Sequence, residues 1–141
     1  MTASIFQPPF PDPGIFDISA WPVVFARFPE LDEHDRVDRV LDSLQAVLNQ
    51  QQRFVIIWGM PRHDHDDEPH EDEKRSVIWL KQHRQELRRL CAGYVYVTQD
   101  PELRALLEAR FPVVEKFLSF PKVVTDDRTQ AGEIARGMLA S

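Results

Sequence analysis

The chain has 141 residues, 43% of them hydrophobic and 28% charged, with a net charge of −6 and a single cysteine, Cys91. That length suits one domain able to bury a core without disulfides. A lone cysteine excludes an internal disulfide and fits a reducing, cytoplasmic setting, the acidic balance argues against general nucleic-acid binding, and no apolar run reaches the roughly 20 residues of a membrane span.

Residues 1–14 carry Pro8, Pro9, Pro11 and Pro13 and end at Gly14. This reads as an extended proline-rich arm that docks through Ile5, Phe6 and Phe10. Residues 15–141 read as a single α/β domain. Two short β-type runs, Ile15 to Ser19 and Val23 to Phe28, flank Ala20-Trp21-Pro22. The second run is apolar on both of its alternating sides, which predicts an interior strand.

From Leu31 to Gln52, the residues Val37, Val40, Leu41, Leu44, Val47 and Leu48 recur on one helical face, with Asp32 placed to cap the start. RFVIIWGM is a short, β-branched apolar run, the pattern of a strand covered on both faces. EDEKRSVIWLKQHRQELRRLCAG then predicts one long helix, with acids at its start, Arg88 and Arg89 near its end and Gly93 as its stop. GYVYVT is a further strand. Asp100-Pro101 marks a helix start, and Leu103, Leu106, Leu107 and Phe111 form that helix's expected buried stripe. PVVEKFLSFP reads as a connector or a continuation of the helix. KVVTDD gives the last strand, and Ala131, Ile134, Ala135, Met138 and Leu139 share a face of the last helix.

The predicted order is β-β-α-β-α-β-α-β-α in a mixed, mostly parallel sheet with helices packed on it. Ligands of such sheets gather beyond the carboxyl ends of the strands. The stretch RHDHDDEPHEDEK, Arg62 to Lys74, begins where RFVIIWGM stops and sets three histidines among seven carboxylates. His63 and His65, if extended, point the same way with Cα atoms about 7 Å apart. With His70 they make a candidate divalent-metal set, since zinc accepts imidazole and carboxylate ligands, though the spacing matches no established zinc pattern. A solvated acidic loop feeding a helix N-terminus is the simpler reading of the same residues.

The helix that follows carries Lys74, Arg75, Lys81, Arg84, Arg88 and Arg89. Trp79 falls toward its flank, where tryptophan commonly anchors a partner. Cys91 reads as a small buried residue. The chain has no GxSxG, no GxxxxGK and no GxGxxG, and its five glycines offer little to cradle a nucleotide.

FDISAWPVVFARF, RFVIIWGM, LRRLCAGYVYV and the closing PKVV before an alanine-containing helix resemble the STAS-like family, small bacterial proteins related to the anti-sigma-factor antagonist (SpoIIAA-like) fold. The resemblance covers Ile15 to the C-terminus. It implies a mixed sheet and a role in protein–protein regulation or small-ligand binding without catalysis. Antagonists of that kind present a phosphorylatable hydroxyl at a helix start. Here that region reads MPRHDHDDEPHEDEKRS and Ser76 lies inside the predicted helix, so the phosphorylation switch is not carried over.

Three functional expectations follow. The first is a non-enzymatic regulatory module that binds a protein partner through the acidic loop 62–73 and the next helix, with Asp66, Asp67, Glu68, Trp79 and Arg84 at the contact. The second is a divalent-metal protein using His63, His65 and His70. The third is a carrier of an apolar small molecule, from the chain's nine phenylalanines and three tryptophans. Exposed sheet edges make a homodimer a further expectation.

Overall fold

The computed structural model describes residues 6–60, 70–116 and 118–141. Five strands form one sheet in the order β1 (Phe16–Asp17), β2 (Val23–Arg27), β3 (Phe54–Gly59), β4 (Cys91–Val97) and β5 (Lys122–Thr125). β1 runs antiparallel to β2, and the remaining pairs are parallel. This is the predicted α/β architecture with the predicted order of elements, and β2 is interior as its two-sided apolar pattern requires.

Helix α1 (Arg36–Leu48) buries all six residues of its predicted stripe. It starts later than expected: Asp35, with a left-handed backbone, precedes it, and neither Asp32 nor the Asp35 side chain caps it. The long helix predicted next is two helices, α2 (His70–Gln82) and α3 (Arg84–Leu90). The break lies at His83, whose ring stacks on Trp79 at 4.0 Å and whose Nδ1 lies 2.8 Å from the Trp79 carbonyl oxygen. The His83 backbone leaves helical geometry there (φ −109°, ψ 10°), although its amide still donates to the Trp79 carbonyl at 3.1 Å.

Gly93 does not stop a helix. β4 already begins at Cys91, and Gly93 lies within the strand. A Cβ at position 93 would meet the Met138 side chain and come within 2.9 Å of the Pro121 carbonyl oxygen. Glycine is there for close approach of the last helix, not for a turn. Asp100 caps α4 (Pro101–Val114) as expected, accepting from the Glu102 and Leu103 amides. α4 continues through Pro112 and buries none of its stripe completely; Leu106 is exposed. The expected stripe holds only in part, because α4 rests on the sheet's β5 margin, where Phe111 stacks on Tyr96.

Two apolar layers sandwich the sheet. On one face α1 and α3 pack over Val24, Phe54, Ile56, Trp58 and Tyr94. On the other, α5 (Arg128–Ala140) sets Ala131 and Ala135 against Val55, Ile57 and Val95. The arm docks through Phe6, which is buried and meets Trp21 edge-on, whereas Phe10 stays exposed. No helix of the described residues is long and apolar enough to cross a membrane.

Candidate functional site

His63, His65, Asp66, Asp67 and Glu68 lie outside the described residues. His70 opens α2 and is exposed. Among the described residues no group of three or more His, Cys, Asp or Glu side chains is placed to hold a metal ion.

α2 is fastened at its first two turns by charge. Arg36, only 6% exposed, donates from Nη1 to Asp72 at 3.1 Å, from Nε to the Glu30 carbonyl at 2.8 Å and from Nη2 to the Pro29 carbonyl at 3.1 Å. Its guanidinium also lies over the Phe28 ring. Arg75 pairs with Asp38 of α1. An arginine in the first turn of α1 opposes the helix dipole, so these acceptors are what hold it there. Beside this, Glu33 takes Arg27 bidentately at 2.7 and 3.0 Å, and Arg39 joins Glu33 to Asp12 of the arm. Hydrogen bonds from Arg27, then from the Glu30 amide, hold the Glu33 carboxyl at a pKa of about 2.

Further along α2, Trp79 and Leu80 are half-buried against the core. Trp79, on the helix flank as expected, packs against that core and stacks on His83. Lys74, Ile78 and Lys81, spaced by four and three residues, share the outward side, and all three are exposed. Ile78 is 46% exposed. Arg84 and Arg88 of α3 are exposed as well. Lys74, Lys81, Arg84 and Arg88 make no hydrogen bond or ion pair among the described residues, whereas Arg75 is engaged by Asp38 and Arg89 donates to Gln51.

A second feature lies at the carboxyl ends of β3, β4 and β5. A cleft of about 570 Å³ opens there, lined by Met60, Val97, Thr98, Gln99, Asp100, Leu103, Asp126 and Arg128. The helices on either side of it diverge: α4 leaves β4 for the face carrying Tyr96, and α5 leaves β5 for the face carrying Val95. A second cleft of about 320 Å³, beside α5, shares Val97 and Arg128 with the first. The sequence places a candidate site at the carboxyl edge after β3 and does not single out Arg36, Asp126 or Arg128. The available signal was an arginine in the first turn of a helix, the end that disfavours cations.

The Cys91 thiol is pushed far up by burial, as are the Tyr94 and Tyr96 hydroxyls. The core aromatics pack on one another, Trp58 edge-on to both Phe16 and Tyr94, and Phe120 against Tyr94. Comparison with protein-family models, with curated proteins and with solved structures found no match.

Proposed function

We propose that this chain is a non-enzymatic regulatory module of the STAS-like kind, which binds another protein through the outward side of α2 and α3 together with the acidic residues 62–73. The observation that carries the reading is the row of exposed cations Lys74, Lys81, Arg84 and Arg88, without ion partners among the described residues, around the exposed Ile78. A cationic rim around an apolar centre fits a partner segment that presents carboxylates about an apolar residue. The helical spacing puts Lys74, Ile78 and Lys81 on one side of α2, and Arg84 and Arg88 share a side of α3. The STAS-like kinship is supported by the mixed, mostly parallel sheet and the order of its elements, and by the absence of nucleophile and phosphate-loop motifs from the sequence.

The test is a photo-crosslinking residue placed at position 78 in cells that make the protein, with a control at Val113, which is 61% exposed on α4. The reading expects a discrete protein adduct from position 78 only. That adduct is lost when Lys81, Arg84 and Arg88 are together changed to glutamate. No adduct, equal adducts at both positions, or an adduct indifferent to charge reversal would overturn it.

A further inference from the structure

We propose that the cleft between the ends of β4 and β5 binds a small zwitterion of the kind a free amino acid represents. The Arg128 guanidinium takes its anionic group, the Asp126 carboxylate takes its cationic group, and the apolar part rests on Met60, Val97 and Leu103. This site is separate from the surface on α2 and α3.

The first argument is topological. The strand order does not reverse in this sheet, but segments that leave adjacent strands for opposite faces open a crevice outside the carboxyl ends of those strands by the same geometry. Here that point lies between β4, followed by α4 on one face, and β5, followed by α5 on the other. The cleft sits there.

The second argument is the chemistry of the lining. Arg128 occupies the first position of α5, where the helix dipole disfavours a cation. It makes no hydrogen bond or ion pair among the described residues; its guanidinium carbon lies 4.7 Å from the centre of the Phe25 ring, and its charge helps to lower the pKa of Asp17, which lines the neighbouring cleft with it. Asp126, two residues earlier, is likewise without a hydrogen bond or ion pair among the described residues. A guanidinium and a carboxylate, neither of them hydrogen-bonded among the described residues, therefore line one cleft, with Met60, Val97 and Leu103 beside them.

The same lining disfavours a phosphate ligand. Both helix N-termini at the cleft are closed by their own aspartates. Asp100 accepts from the Glu102 and Leu103 amides, and Asp127 accepts from the Thr129 and Gln130 amides. The backbone donors that hold phosphate elsewhere are spent, and the capping carboxylates would repel a dianion. A ligand carrying one charge of each sign suits a lining that holds both.

The experiment is a titration of isotope-labelled full chain with each of the twenty free L-amino acids at millimolar concentrations, followed by amide NMR. The expected result is saturable shifts in residues 97–100 and 126–130 for one or a few of them. Asp126→Asn and Arg128→Gln should each weaken that binding about 10-fold or more, as loss of a charge-assisted hydrogen bond does. The N-acetyl and carboxamide derivatives of the binding amino acid, each lacking one charge, should fail to bind wild-type protein, so the test does not depend on the variants folding. No saturable shift with any amino acid, shifts confined to other residues, or undiminished binding of the blocked derivatives would overturn the proposal.

Discussion

Arg36→Ala should cost this protein about 3 kcal/mol. The side chain is nearly inaccessible, and its truncation does three things at once. It removes the ion pair to Asp72 at 3.1 Å and strands the Pro29 and Glu30 carbonyls, which accept at 3.1 and 2.8 Å. It also leaves a void where the aliphatic stem packed. Removing one member of a well-buried pair costs about 3–5 kcal/mol. Asp72 keeps 27% of its side-chain surface and can rehydrate, which sets the estimate at the lower end, about 3 kcal/mol. For a chain of this size that corresponds to a fall of roughly 10 °C in Tm. Arg36→Met, which keeps most of the stem, should lose about 1 kcal/mol less. Urea unfolding followed by tryptophan fluorescence measures both, and a cycle with Asp72→Asn should return a coupling of about 1–2 kcal/mol. A loss below ~1 kcal/mol for Arg36→Ala, or no coupling to Asp72, would show that this guanidinium does not fasten α2 to α1.

Gly93→Ala sets a Cβ against Met138 and the Pro121 carbonyl, so it should destabilise by about 1–3 kcal/mol; Met138→Ala in the same chain should recover part of that, as read from the urea midpoint. The Glu33 carboxyl is held at a pKa of about 2 by Arg27, against an ordinary 4.5, and Asp12 is lowered by Arg39. Both groups are depressed in the folded state, so their stabilisation is complete above pH 4.5 and is lost as pH falls toward 2. The urea midpoint should therefore decline through that window, and less steeply in Glu33→Gln. Cys91 is buried and its thiol is pushed up by desolvation, so it should resist thiol reagents at pH 8 in the native protein and react fully in denaturant; rapid native labelling would refute the placement of β4.

Element type and order were legible in the residues, because each is a local pattern. The stripe of α1 repeats at helical spacing, β3 is a run of β-branched residues, and Asp100-Pro101 caps α4. Those patterns need no knowledge of neighbours. Boundaries failed where a residue's role depends on what packs against it. Gly93 after a basic helical turn has the local form of a stop signal, and only the approach of Met138 makes it a strand position. The stripe of α4 is as regular as that of α1, yet it lies at the sheet margin with too little opposite it to cover Leu106.

The candidate sites divide in the same way. The spacing of Lys74, Ile78 and Lys81 along α2 is legible in the sequence, whereas the break before Arg84 and the engagement of Arg75 by Asp38 and of Arg89 by Gln51 come from the tertiary structure. Whether Trp79 projects or lies against the core was decided by its stack on His83 and its seat over the sheet. Arg36 with Asp72, and Arg128 with Phe25, join residues far apart in the chain. Charge placement against a helix dipole marks such arginines as unusual. Only the tertiary structure supplies the acceptor or the ring that makes each placement tolerable, because an electrostatic contact depends on distance in space and the sequence records only distance along the chain.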